Sequence, residues 1–128
     1  MRDYVYDRGA LIAIDTRRGD AAVQHHLDRL RSRDHIVVPA PVAAQVIRDP
    51  RRQARLMLTL RGCEVIPFSA DDAAPVGQLL SGSGTADVVD GLVALTAVKW
   101  RATVVTSDPD DITRLLDVLA APLPVLKP

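Results

Sequence analysis

Four aspartates carry the chemistry this sequence can be read for: Asp7, Asp87, Asp90 and Asp108. Asp7 ends the short run Tyr4-Val5-Tyr6, and Gly9 just beyond it permits tight backbone packing. Asp108 follows Ala102-Thr103-Val104-Val105-Thr106 through Ser107. Asp87 and Asp90 open a helical pattern three residues apart, so on one face, and Ala94 and Ala97 continue that face with small side chains. Taken alone, Asp108 reads as a helix N-cap, with Pro109 at the first helical position and Asp111 in the first turn; Asp87 likewise suits the positive end of a helix dipole. Asp90 resists that account. It lies between Val89 and Leu92 in an otherwise apolar helix, where an unpaired carboxylate is costly, and Asp7 meets the same objection at the end of a central strand. A shared bound cation explains several such costs at one edge. Oxygen donors without histidine or thiolate favour magnesium or manganese. His25, His26 and His35 share no zinc-like spacing with these acids and read as surface or helix residues, and Cys63 reads as a small core residue.

These acids must be positioned by β-rich runs that alternate with helical patterns. Strands are expected at 4–6, 35–39, 63–67 and 102–106, with a weak last one at 123–126. A helix over 20–33 would turn Ala22, Val23, Leu27 and Leu30 inward. Asp49 followed by Pro50 opens a second helix running to Arg61. A third, over 86–101, is apolar nearly all round and hence buried. The loop Ser81-Gly82-Ser83-Gly84-Thr85 reads as the most flexible stretch. The alternation implies an α/β fold: a three-layer α/β/α sandwich around a parallel sheet of four to five strands. Ligands in such sheets sit beyond the carboxyl ends of the strands, where the four acids fall.

Length and composition bound the answer. The 128 residues suit one domain spanning 1–128, and a quarter charged against nearly half apolar is a globular balance. A formal net charge of zero argues against a bulk electrostatic grip on nucleic acid, though not against local basic patches. Positive charge is almost all arginine, with lysine only at Lys99 and Lys127. Cys63 is alone, so no intramolecular disulfide forms. Asp3 stands where a signal peptide would carry none, and the run from Leu11 to Ile14 is too short for a membrane span. The expectation is a cytoplasmic protein with no membrane partner.

The same residues give the chain its resemblance to PIN-domain proteins, most closely the VapC-like toxins of toxin–antitoxin pairs. Asp7-Arg8-Gly9-Ala10-Leu11-Ile12-Ala13 resembles the family's opening motif, an acid and a small residue two on, then an apolar run. Asp90-Gly91-Leu92-Val93-Ala94-Leu95-Thr96-Ala97 resembles its helical motif, and Thr106-Ser107-Asp108-Pro109-Asp110-Asp111-Ile112 its Thr-x-Asp signature. The resemblance spans nearly the whole chain. It implies a ribonuclease using one or two magnesium or manganese ions, with Asp7, Asp90 and Asp108 as ligands and catalytic carboxylates and Asp87 assisting. It gives Thr106 a role in positioning a carboxylate or water, and leaves Asp110 and Asp111 to cap the following helix. It further implies a homodimer and a VapB-like antitoxin seated in an apolar groove, for which Leu11, Ile12 and Ile14 are candidates and equally candidates for core.

The family's glutamate in the helix after the second strand is replaced here by Gln45. A glutamine carbonyl can still face a cation, but without charge it binds less strongly. Arg48, Arg51, Arg52 and Arg55 recur along one side of the segment around Asp49 and are candidates for RNA phosphate contacts, set against a plain solvated face. Tyr4, Tyr6, Phe68 and Trp100 are the only aromatics, so base stacking would contribute little. Two other readings compete. One is a PIN-like RNA-binding or interaction module in which Gln45 marks lost activity. The other, a receiver or nucleotide-binding domain, lacks both a glycine-rich phosphate loop and a suitably placed lysine.

Overall fold

The computed structural model describes residues 1–16 and 20–128. Five strands form one parallel sheet: β1 (Asp3–Tyr6), β2 (His35–Pro39), β3 (Glu64–Ile66), β4 (Thr103–Val105) and β5 (Val125–Leu126), in the order β3-β2-β1-β4-β5. Around it lie the helices α1 (Arg8–Asp15), α2 (Asp20–Arg31), α3 (Ala40–Val46), α4 (Ala54–Arg61), α5 (Ala70–Ser83), α6 (Val88–Trp100) and α7 (Pro109–Val118). Helix α1 packs against α2, α3 and α4; α6 packs against α5, α7 and the sheet. The result is the three-layer sandwich that the alternation predicts, with five strands.

Strand order and the handedness of crossovers together decide which face each helix covers. The chain steps outward from β1 to β2 to β3, then returns past β1 to build β4 and β5. Parallel crossovers are right-handed, so reversing direction moves the connecting helices to the other face. The reversal point lies between β1 and β4, which pair through Val5 and Val104; in such sheets the region beyond the carboxyl ends at that point is where ligands sit. Val5, Tyr6, Val37, Val38, Val104 and Val105 are all at most 1% exposed. β-Branched side chains on both faces suit a sheet covered on both sides. No helix among the described residues is long and apolar enough to cross a membrane.

Several local expectations give way to tertiary packing. The segment expected as one helix from Asp49 to Arg61 breaks at Gln53 into a 3-10 turn (Pro50–Arg52) and α4. Gln53 causes the break: its Oε1 accepts from the Arg48 and Asp49 amides, and its Nε2 donates to the Val46 carbonyl and to Asp15 Oδ2. The supposed loop 81–85 begins as helix, since α5 continues to Ser83 and ends at Gly84 with φ +74°. Helix α2 ends at Arg31, and Leu30 is 37% exposed rather than inward. His25 and His26 lie on α2 as expected, with His25 exposed, but His26 and His35 are both engaged by other side chains. His26 is buried, with Nδ1 2.7 Å from the Tyr6 hydroxyl, and that hydroxyl accepts from Arg29 Nη1 at 3.1 Å. His35 bridges Asp3 and Glu64 at 2.9 Å each, edge-on to the Trp100 ring. Cys63 lies just outside β3, half-buried; burial pushes its thiol up to about 12, so it is an inert packing group.

Candidate active site

Asp7, at the end of β1, is 1% exposed and held from two sides. Its Oδ1 accepts from the Arg8 amide at 2.8 Å, capping α1, and its Oδ2 accepts from Thr106 Oγ1 at 2.8 Å. The same threonine hydroxyl accepts from the Asp108 amide at 3.0 Å. One buried hydroxyl thus ties the loop after β4 to the acid after β1, across 99 residues of sequence. The close approach of the two loops needs Gly9, because a Cβ there would lie 2.1 Å from Ser107 Oγ and 2.8 Å from Ser107 N.

The second pair of acids arrives on α6. Asp87 is its N-cap and accepts from the Asp90 amide at 3.0 Å, so the capping role read from the sequence is real and also fixes the turn that carries Asp90. Asp90 is 8% exposed, with Ala94 and Ala97 fully buried along the helix behind it. Burial, then the charges of Asp7 and Asp87, push the Asp90 carboxyl up to about 7; Arg8 pulls the other way and Asp111 adds to the rise. Asp108 behaves differently from its sequence reading. It stands at the N-cap position of α7, but its side chain makes no capping bond; half-exposed, it faces Arg8 instead.

Sequence reasoning passed over some neighbours. Arg8 lies 3.7 Å from Asp87 and 4.0 Å from Asp108, a cation at the mouth of the cluster. A cavity of about 70 Å³ is lined by Thr85, Asp90, Asp111, Arg114 and Leu115, so Asp111 faces the site as well as opening α7. Its position three residues after Asp108, on the same helical face, was the available signal. Nothing in the spacing marks Arg8, whose role depends on residues far along the chain.

The family model for the PIN domain matches residues 4–116. The chain belongs to the PIN-domain family. Members are generally nucleases. Among solved structures, the fold is similar to VapBC2 from Rickettsia felis bound to a DNA fragment from its promoter (21% identity, TM-score 0.69, 98% of each chain covered). It is also similar to FitAB bound to an IR36 DNA fragment (19%, 0.65, 97% of this chain and 94% of that one). PAE2754 from Pyrobaculum aerophilum is a third likeness (16%, 0.61, 93% and 98%). No curated protein sequence matches.

In this PIN domain the donor set suits a hard divalent cation: carboxylate oxygens, with no thiolate or imidazole. Gln45 lies on α3, which packs against the helix that Asp7 caps, and its Oε1 is buried with no hydrogen-bond partner. An orphaned amide oxygen is what a cation-facing carbonyl leaves behind. As they stand, however, no three His, Cys, Asp or Glu side chains among the described residues are gathered closely enough to hold one ion. The other candidates lie apart from the acids in role. Arg48 Nη1 donates to the Ala44 and Ile47 carbonyls, sealing the end of α3. Arg51 and Arg52 are exposed on the 3-10 turn, with Arg52 3.6 Å from Asp49, while Arg55 is half-buried on α4. The break at Gln53 therefore divides what the spacing presented as one basic stripe. Leu11 and Ile14 are core, leaving Ile12, 39% exposed, as the only groove candidate of the three.

Proposed function

We propose that this PIN-domain protein is a magnesium- or manganese-dependent endoribonuclease, the toxin of a toxin–antitoxin pair, with Asp7, Asp90 and Asp108 as its catalytic carboxylates. One observation carries the reading: Asp90 is buried among the like charges of Asp7, Asp87 and Asp111, on the wall of a small cavity. A fold keeps such a carboxylate at a cost, and a dication is the counter-charge oxygen donors select. Asp7, Asp87, Asp90 and Asp108 would hold it, with Gln45 offering an uncharged oxygen. Such an ion would supply activation of water and stabilisation of charge on the attacked phosphodiester.

The protein's own part is positional. Thr106 orients Asp7 and sets the start of the Asp108 loop with one hydroxyl. Asp87 fixes the first turn of α6 and so places Asp90. Asp90, pushed up to about 7 by burial and by the charges of Asp7 and Asp87, would have to give up its proton to hold a cation. Arg51, Arg52 and Arg55 would meet RNA phosphates. A VapB-like antitoxin, a homodimer and a cytoplasmic setting complete the proposal; the likeness to VapBC2 from Rickettsia felis supports the antitoxin.

The test is cleavage of a mixed RNA pool by purified protein, with and without magnesium or manganese, beside Asp7→Ala, Asp90→Ala and Gln45→Glu. Metal-dependent cleavage lost in both alanine variants is expected, with a gain in Gln45→Glu. A second reading, a binding module with weakened chemistry, is favoured by the uncharged Gln45. Metal binding without turnover in both the parent and Gln45→Glu would put that module in place of the nuclease.

A further inference from the structure

The positive charge at the mouth of the acid cluster belongs to the chain itself. Arg8 opens α1 directly after Asp7, and its guanidinium spans two acids that arrive from different elements. Its Nη1 is 3.7 Å from Asp87 Oδ2, ahead of α6, and its Nη2 is 4.0 Å from Asp108 Oδ2, ahead of α7. Neither distance is that of a hydrogen bond. The Arg8 and Asp87 side chains are each 35% exposed and Asp108 50%, so the guanidinium is held by charge and can be exchanged. Arginine keeps its charge at every working pH. With it in place, Asp87 and Asp108 are spread about a guanidinium rather than drawn together on one small ion, in line with the absence of a ready three-ligand group among the described residues.

We propose that Arg8 is the resident counter-cation of the carboxylate cluster, and that a divalent metal must displace it from Asp87 and Asp108 in order to bind. The inference rests on the metal reading of the site proposed above. Arg8 is then a positioning residue: it balances the acids in the metal-free protein and sets the affinity for metal. The two roles move in opposite directions when it is removed, which a purely structural role would not do.

Mn²⁺ binding by isothermal titration calorimetry, with metal-free and Mn²⁺-loaded melting temperatures, tests this on the full chain. Arg8→Ala should bind Mn²⁺ about three- to thirtyfold tighter than the parent, the factor expected when two half-exposed ion pairs no longer have to be broken. Its metal-free melting temperature should fall, and Mn²⁺ should restore it. Arg8→Lys, which keeps the charge, should stay near the parent. Arg114→Ala, which removes a cation from the cavity wall without touching Asp87 or Asp108, should change affinity less than Arg8→Ala. Unchanged or weaker binding in Arg8→Ala overturns the proposal and leaves the metal site standing. Equal tightening in Arg8→Lys overturns it in favour of bulk, and equal tightening in Arg114→Ala in favour of the general field. Absence of Mn²⁺ binding in both the parent and Arg8→Ala overturns the proposal together with the metal reading.

Discussion

Replacing Gly9 by alanine should cost stability and loosen the site together. The added Cβ would lie 2.1 Å from Ser107 Oγ, 2.6 Å from Ser107 Cβ and 2.8 Å from Ser107 N. Rotation of the serine can remove the first contact, but the other two are fixed by backbone. Because non-bonded carbons settle at about 3.5–4.0 Å, the β1–α1 and β4–α7 loops must part by roughly 1 Å. Overpacking of this kind costs about 1–3 kcal/mol, and alanine's better helix propensity, up to about 1 kcal/mol, returns part of it. A net loss of about 1–2 kcal/mol is expected. Urea unfolding followed by circular dichroism measures it. Gly77→Ala is the matched control: no atom lies within 4 Å of a Cβ there, inside α5, so that protein should gain about 0.5–1 kcal/mol. Ser107→Gly should recover part of the Gly9→Ala loss, because it removes two of the three close contacts. If Gly9→Ala proves as stable as the parent, or if Gly77→Ala loses as much, the steric argument is wrong.

Other perturbations address charge and hydrogen bonding. Thr106→Val keeps shape but deletes the 2.8 Å bond to buried Asp7, and should cost about 1.5–3 kcal/mol in urea unfolding; a loss below about 0.5 kcal/mol would show that Asp7 does not depend on it. Asp90, raised from 3.8 to about 7, binds its proton more tightly in the fold than in the unfolded chain. Its contribution is therefore present below about pH 4 and lost as pH rises through 7. Asp90→Asn should flatten that slope and raise metal-free stability near pH 8 by up to about 3 kcal/mol; equal effects near pH 4 and pH 8 would contradict it. Burial opposes charge on His35, but bonds to Glu64 and Asp3 outweigh it and raise its pKa, so the bridge stabilises at acid pH and weakens as pH rises through the folded value. His35→Gln should lose about 0.5–1 kcal/mol near pH 5.5 and less near pH 9, read from paired denaturant titrations.

Much of this architecture was legible in local sequence. Tyr4-Val5-Tyr6 and His35-Ile36-Val37-Val38-Pro39 are β-branched and aromatic runs that suit any doubly covered strand, and α6 is apolar on every side. Alternation of such elements dictates parallel crossovers. That alone put Asp7 and Asp108 near one edge, because an acid just past a strand has few other places to go, and Asp87 and Asp90 near the same edge, because a helix leading into a parallel strand starts at the strands' carboxyl ends. Helix α5 was less legible: Pro75, Gly77 and Gly82 oppose it locally, yet Val76 and Leu79 bury against the core and carry it through. The break at Gln53 draws mostly on local bonds to Val46, Arg48 and Asp49, with one to Asp15, 38 residues away.

What only the tertiary structure decided is how the charges and hydrogen bonds of the site are shared. Thr106 serves both Asp7 and the Asp108 amide, Asp108 gives up capping to face Arg8, and Arg8 meets Asp87 from a helix that begins 80 residues later in the chain. Periodicity and propensity report neighbours along the chain, so they find the elements and the order of the acids. Burial and electrostatics depend on which distant segments pack together, and they alone made Arg8 part of the site and raised Asp90 toward neutrality.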